Sequence, residues 1–222
     1  MNAAGLEARL RAALDPLDRA PVEPVHSDYD LNAGLQPFVR GPKRDAAVLV
    51  GLTPRVEGVT VLLTRRADSL ASHTGQIAFP GGRLDPGETA VEAALREAQE
   101  EVGLDPALVR PLGLSDAYET VTGFVVTPVV AVVDPAAVLT PSPDEVAEIF
   151  EVPFDFLMDA ANHRRDSFTA PDGQVRWFHA MPWGERYVWG ATAGMLRALW
   201  ARLEGDPEQA RAVSRVASRG SA

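Results

Sequence analysis

The sequence predicts one layered domain of the α+β or α/β class, in which a mixed β-sheet carries two or three helices. Short segments rich in Val and Leu alternate with turns that contain Pro and Gly, as is typical of strands. Longer segments with apolar residues three and four positions apart are typical of helices that pack on such a sheet. The 222 residues and 46% apolar content suffice for one hydrophobic core.

Three segments have helical patterns. Residues 3–18 place leucines at spacings of four, four and three. Residues 89–102 follow the break at Asp85-Pro86-Gly87 and end at Gly103, a typical helix stop. Residues 191–203 put their large apolar side chains on one stripe and predict a closing helix.

The strands are predicted from short apolar runs between turns. Residues 46–52 and 59–64 are expected to pair with each other. The remaining predicted strands are residues 112–118, 124–133 and 149–152, and a hairpin of 175–179 with 186–189.

These elements divide the chain into three parts. Residues 1–42 are interpreted as an N-terminal helix and a proline-containing connector that pack on the core. Residues 43–204 form the main domain, and residues 205–222 form a polar tail for which disorder is expected.

Composition excludes several classes of function. A formal net charge of -10 disfavours nucleic acid as the main partner, because a polyanion requires Lys and Arg. The absence of cysteine excludes disulfides, thiolate metal sites and a cysteine nucleophile. The longest apolar stretch, residues 123–133, is about half the ~20 residues that cross a bilayer, and the N-terminus does not resemble a secretion signal. A cytoplasmic protein without a membrane partner is expected.

The helix of residues 89–102 carries the candidate chemistry. At ~100° per residue, Glu97, Glu100 and Glu101 fall within one arc, and the apolar residues fall on another. A solvated face is the ordinary explanation for glutamates on a helix. However, three carboxylates without interleaved lysines repel one another at these spacings, and a divalent cation removes that repulsion. Oxygen ligands favour Mg²⁺ or Mn²⁺.

A glycine-containing loop, Phe79-Pro80-Gly81-Gly82, precedes this helix. Glycine allows backbone groups to approach a ligand closely, so Phe79, Gly81 and Gly82 are candidate substrate contacts. A metal site beside such a loop suits a diphosphate.

The spacing of these residues resembles the 23-residue box of the Nudix hydrolase superfamily. Gly82 is followed after five residues by Glu88, and after seven more by Arg96-Glu97-Ala98-Gln99-Glu100-Glu101-Val102-Gly103-Leu104. The resemblance implies the Nudix fold, a mixed β-sheet sandwiched between α-helices (α/β/α), and hydrolysis of a nucleoside diphosphate linked to another group. It implies that Glu97, Glu100 and Glu101 bind Mg²⁺ or Mn²⁺ and that Glu88 and Arg96 brace the loop against the helix. Gly103 is a structural member of the box.

The general base remains open between the helix and a later loop, because families with this box differ on this point. Glu100 is favoured, Glu145 is the runner-up, and Glu148 lies in the same later segment. Arg96 and Glu101 complete the catalytic group that the resemblance implies.

The segment upstream of the box resembles the coenzyme A diphosphatase branch. Leu62-Leu63-Thr64-Arg65-Arg66-Ala67 and Gly75-Gln76-Ile77-Ala78-Phe79-Pro80-Gly81-Gly82 carry this resemblance. The branch has an arginine where this chain has Ala71, and Arg65, Arg66 or His73 could supply the missing charge. Together with Gln76, these residues are candidate substrate contacts.

The resemblance therefore implies a hydrolase that converts coenzyme A or acyl-CoA to 3′,5′-ADP and 4′-phosphopantetheine or its acyl derivative. Another nucleoside diphosphate derivative, such as ADP-ribose, NADH or an oxidised dNTP, is the alternative substrate. A non-catalytic binding module of the same fold is a further alternative, but no box glutamate is missing here. A homodimer is expected because homodimers are common in the family.

Overall fold

The computed structural model describes residues 3–19, 23–32, 34–35, 41–67 and 75–205. The helices in these ranges are α1 (Ala3–Ala13), α2 (Ala90–Val102), α3 (Phe154–Leu157) and α4 (Ala191–Glu204). The strands are β1 (His26–Ser27), β2 (Arg44–Arg55), β3 (Gly58–Arg66), β4 (Ile77–Ala78), β5 (Gly81–Arg83), β6 (Val109–Leu114), β7 (Tyr118–Glu119), β8 (Phe124–Val133), β9 (Val146–Pro153), β10 (Arg164–Thr169), β11 (Val175–Trp183) and β12 (Arg186–Trp189). Within these ranges, no helix is long and apolar enough to cross a membrane.

The main sheet is mixed, as predicted. Strand β2 lies at its centre, parallel to β8 on one side and antiparallel to β3 on the other. The principal order is β1-β7-β8-β2-β3-β4, with β5 on β2, β6 on β8 and β9 on β3. Strands β10, β11 and β12 form a separate antiparallel sheet.

Successive residues of the central strands enter two different cores, because side chains of a strand alternate between its faces. Ala47 and Leu49 of β2 pack with α2, whereas Val50 and Leu52 pack with α1, α4 and the smaller sheet. Helix α2 contributes small buried residues to the first core, namely Ala93, Ala94, Ala98 and Val102. The main sheet therefore lies between helices, and the predicted α/β/α arrangement is confirmed.

Several predicted boundaries differ from the structure. Helix α1 ends at Ala13 rather than at residue 18, shortly before Pro16, which lacks an N–H and restricts the residue before it. The strand predicted over residues 112–118 is divided into β6 and β7, because the regular pairing with β8 ends at Leu114 and resumes at Tyr118. Strand β9 extends well beyond residues 149–152.

The predicted hairpin of β11 and β12 is present, with β11 extended to Trp183. A third strand, β10, joins it and was not predicted, because its sequence is polar and its side chains are mostly exposed. The tail beyond Gly205, and with it the expectation of disorder, lies outside the described residues.

Candidate active site

The position of α2 is fixed at both ends by its sequence. Thr89 is the N-cap: its hydroxyl accepts from the Glu92 N–H, and the Glu92 carboxylate accepts from the Thr89 N–H at 2.8 Å. Gly103 ends the helix in the left-handed conformation with φ 65° and donates to the Gln99 carbonyl at 3.0 Å. These caps set the register of the helix and thus the direction of its glutamates.

The glycine loop fits closely between β2 and α2. A Cβ on Gly81, whose φ is 152°, would lie 2.4 Å from the Ala47 carbonyl oxygen. A Cβ on Gly82 would lie 2.5 Å from Oε1 of Glu97. Gly81 therefore requires glycine, whereas a side chain at Gly82 would displace the Glu97 carboxylate, which lies directly against the loop backbone.

Glu101 is buried, with 4% of its surface exposed. Its Oε2 accepts from the Gly81 N–H at 3.2 Å, and its Oε1 lies 4.0 Å from Arg66 Nη1. Burial raises the pKa of Glu101 to about 7, although the Gly81 hydrogen bond and the Arg66 charge oppose this shift.

Glu101 therefore does not lie on a solvated face of α2. The chain after β8 covers this edge of α2: the Thr140 N–H donates to the Val102 carbonyl, and the Ser142 N–H donates to the Glu101 carbonyl, both at 2.8 Å. Helical periodicity cannot reveal a cover from a segment some 40 residues away. Glu97 and Glu100 differ from Glu101 in this respect, with side chains 17% and 56% exposed.

Arg96 connects the loop to the helix. Its guanidinium donates to both oxygens of Glu88, at 2.9 and 3.0 Å, and to the Arg83 carbonyl at 3.0 Å. It also donates to Glu97 at 2.9 Å and to Glu100 at 3.2 Å. Hydrogen bonding to Arg96 holds the pKa of Glu88 below its ordinary value. Arg96 therefore partly neutralises the negative charge of these glutamates. The repulsion expected from the sequence considered only lysines and left this arginine out.

Carboxylate oxygens of Glu97, Glu100 and Glu101 are the donors that Mg²⁺ and Mn²⁺ prefer. In the described part of the chain, no three Asp, Glu or His side chains surround a common point as a preformed metal site would require. Two of these glutamates instead contact Arg96, and Glu101 contacts Gly81. The donor set therefore fits such an ion chemically, and its binding requires these side chains to leave their present partners.

Burial and neighbouring carboxylates make this region favourable for a cation. Desolvation raises the pKa of Glu97, with Arg96 opposing the shift and the charges of Glu100 and Glu145 adding to it. Glu145 also raises the pKa of Glu101. The loop carboxylate of Glu145 thus lies within electrostatic reach of the helix.

Glu148, the other candidate of this segment, lies in strand β9 rather than in the loop and has a different environment. It forms an ion pair with Arg186 of β12 and lies 3.7 Å from Arg65. The Arg186 guanidinium also stacks on the Phe150 ring, 4.4 Å from its centroid. Two arginines hold Glu148, so Glu145 is the better loop candidate for a base. Arg186 was not identified from the sequence.

Arg65 and Arg66 do not act as a pair. They lie at an irregularity in the pairing of β3 with β9, and neighbouring residues of β3 face opposite cores. Arg66 approaches Glu101 on the α2 side, whereas Arg65 approaches Glu148. Of these two arginines, Arg66 is the one that lies next to a carboxylate of α2.

Of the other predicted substrate contacts, Gln76 and Phe79 lie in different environments. The Gln76 carbonyl accepts from the Arg66 N–H at 3.0 Å, which places Gln76 beside the end of β3. Phe79 is only 3% exposed and its ring packs in the core, so its side chain is not available to a substrate. His73 and Ala71 lie outside the described residues.

Comparison with known proteins identifies the family of this chain. The family described as NUDIX domain matches residues 42–171. The chain belongs to the Nudix hydrolase family, whose members act on diphosphate anhydride bonds.

Relatives in enterobacteria are similar over most of their length. "Uncharacterized Nudix hydrolase NudL" of Citrobacter koseri is 42% identical over 74% of this chain and 87% of that protein. The protein of the same name from Escherichia coli strain K12 is 40% identical over 74% of this chain and 85% of that protein. A solved Nudix hydrolase from M. smegmatis, RenU, is 26% identical over 52% of this chain and 74% of that chain, with a TM-score of 0.44.

Proposed function

We propose that this Nudix hydrolase cleaves the diphosphate of coenzyme A or acyl-CoA, giving 3′,5′-ADP and 4′-phosphopantetheine or its acyl derivative. The supporting observation is the contact between Arg66 and Glu101, whose Nη1 and Oε1 atoms lie 4.0 Å apart. Arg66 belongs to the segment that resembles the coenzyme A diphosphatase branch, and Glu101 belongs to the Nudix box. This contact supports a single site to which both motifs contribute.

In this proposal Glu97, Glu100 and Glu101 hold Mg²⁺ or Mn²⁺, which supplies the positive charge that neutralises the diphosphate. Arg66 contacts a phosphoryl oxygen, and the bare backbone at Gly81 and Gly82 lets the diphosphate approach α2. Arg96 and Glu88 keep the loop at a fixed distance from the helix.

Glu100 accepts the proton of the attacking water, because its side chain is 56% exposed and water reaches it directly. The water oxygen forms a bond to phosphorus, and the P–O–P linkage breaks with the electron pair remaining on the departing phosphate. Glu145 is the second candidate for this proton, since it is exposed and lies within electrostatic reach of Glu97 and Glu101.

A comparison of substrates tests the proposal. Purified protein with Mg²⁺ or Mn²⁺ is incubated separately with coenzyme A, acetyl-CoA, NADH, ADP-ribose and an oxidised dGTP, and the products are identified by mass. We expect the highest kcat/KM for coenzyme A or its thioester. Faster turnover of ADP-ribose or a nucleotide would contradict the choice of substrate and leave the reaction class unchanged.

The expected homodimer belongs to this proposal as well. Analytical ultracentrifugation of the 23.8 kDa chain separates the two states, with a species of twice this mass expected. A single species of monomer mass across the concentration series would contradict it.

A further inference from the structure

Two buried threonine hydroxyls hold the short strand β4 immediately before the glycine loop. Thr192 Oγ1 donates to the Ile77 carbonyl at 3.0 Å, and Thr64 Oγ1 donates to the Ala78 carbonyl at 3.2 Å. The threonines are 4% and 2% exposed. Because successive carbonyls of an extended strand point to opposite sides, the two hydroxyls hold β4 from two directions.

The position of Thr192 follows from the connection between β12 and α4. Gly190 lies between them with φ 63°, a conformation that glycine adopts without strain. Its N–H donates to the His179 carbonyl at 3.1 Å, and its carbonyl accepts the first helical bond, from the Gly194 N–H at 2.8 Å. The smaller sheet thereby fixes the start of α4, and Thr192 in its first turn reaches β4.

Strand β4 leads directly into the glycine loop, whose Gly81 and Gly82 also pair with β2. Its next residue, Phe79, is anchored in the core. Gly81 follows and donates its N–H to Glu101, while Gly82 lies against the Glu97 carboxylate. A displacement of β4 would therefore shift Gly81 and Gly82, and with them the contacts that these glycines make with Glu101 and Glu97.

We propose that Thr192, together with Thr64, is a positioning residue of this hydrolase. The two hydroxyls hold β4 so that the Gly81 N–H and the Gly82 backbone meet the carboxylates of α2. Neither hydroxyl contacts the substrate, and both act through the loop. The inference rests on the proposed hydrolysis at α2, and it is independent of which diphosphate is cleaved.

The test replaces the hydroxyl by a methyl group of similar size in Thr192→Val. The Ile77 carbonyl then loses its buried donor, and we expect kcat to fall by about tenfold or more with a smaller change in KM. Thr192→Ser keeps the hydroxyl and should restore most of kcat. Thr60→Val is the control, because Thr60 lies on β3 like Thr64, but its hydroxyl donates to Glu151 at 2.6 Å and not to β4.

A second measurement uses the metal-free protein and does not depend on activity. Hydrogen–deuterium exchange at the amides of residues 79–82 should accelerate in Thr192→Val and not in Thr60→Val. Should Thr192→Val fail to fold, Thr64→Val measured in the same two ways decides the question.

Equal kcat in Thr192→Val and the wild type, or an equal loss in Thr60→Val, would overturn the inference. Unchanged exchange at residues 79–82 would also overturn it. If the wild type cleaves none of the diphosphates, the proposed function fails, and the exchange measurement alone then decides the role of Thr192.

Discussion

The carboxylate of Glu97 lies against the backbone of Gly82, so closely that a Cβ on Gly82 would be 2.5 Å from its Oε1. The first glycine of the box therefore makes room for a glutamate of the box. Gly82→Ala should displace Glu97 and lower kcat/KM by about 100-fold, since a small misplacement of a catalytic group is costly. Steady-state kinetics with a check of the folded state by circular dichroism measure this. Activity near that of the wild type would contradict the proposed role of Glu97.

Arg96 and Glu88 form a bidentate ion pair, with N–O distances of 2.9 and 3.0 Å. Arg96→Lys retains the charge but loses the planar fork that contacts Glu88, Arg83 and two further glutamates. We expect a loss of about 1–3 kcal/mol in the free energy of unfolding, and a loss of activity as well. Urea denaturation of Arg96→Lys, Glu88→Gln and the double variant measures their coupling. Strictly additive effects would show that the pair does not brace the loop.

Arg65 and Arg66 provide a matched comparison within one strand. Arg66 lies beside Glu101, whereas Arg65 lies beside Glu148 on the other side of the sheet. Arg66→Gln should raise KM for coenzyme A by about tenfold, equivalent to about 1.4 kcal/mol of binding free energy. Arg65→Gln should have a much smaller effect on KM. Equal effects would contradict the assignment of the phosphate contact to Arg66, and a larger effect for Arg65→Gln would place the phosphate on the other face of β3.

His179 makes stability depend on pH. Burial, together with the charges of Arg197, Arg165 and His163, lowers the pKa of His179 to about 4, and Asp30 opposes this shift. The unfolded chain, with a histidine pKa of about 6.5, binds the proton first as the pH falls. The contribution of His179 to the free energy of unfolding is therefore fully present above about pH 6.5, and it is lost progressively as the pH falls toward 4.

Denaturation at several pH values tests this dependence. His179→Gln should flatten the decline in the free energy of unfolding between about pH 6.5 and pH 4. His163 contributes in the same direction, because burial lowers its pKa as well, so some decline should remain. An unchanged slope in His179→Gln would show that this histidine is not protonated mainly in the unfolded state.

The sequence contained enough local information to predict α2, its neighbouring strands and the mixed sheet. Thr89 and Gly103 are strong helix signals, and strand β8 has the predicted bounds because an apolar run coincides with a central strand. Strand β10 was missed because Arg164–Thr169 has no apolar alternation. Its place in the sheet depends on pairing with β11, which is not visible locally.

The candidate site was predictable in its residue types but not in its contacts. Spacing placed Glu97, Glu100 and Glu101 on one side of α2, but the buried position of the Glu101 carboxylate beside Gly81 and Arg66 depends on residues outside the helix. Similarly, adjacency of Arg65 and Arg66 in the chain gave no information on the faces they occupy. Thr192 was overlooked because its hydrogen bond joins residues 115 positions apart.

Binding of a divalent cation to α2 tests the central claim most directly. Isothermal titration calorimetry adds Mn²⁺ to the metal-free wild type and to Glu101→Gln, whose amide oxygen can still accept from the Gly81 N–H. We expect saturable binding to the wild type, and binding weakened by about tenfold or more in Glu101→Gln, together with loss of hydrolysis. Absence of binding to the wild type, or equal binding to both proteins, would contradict the account.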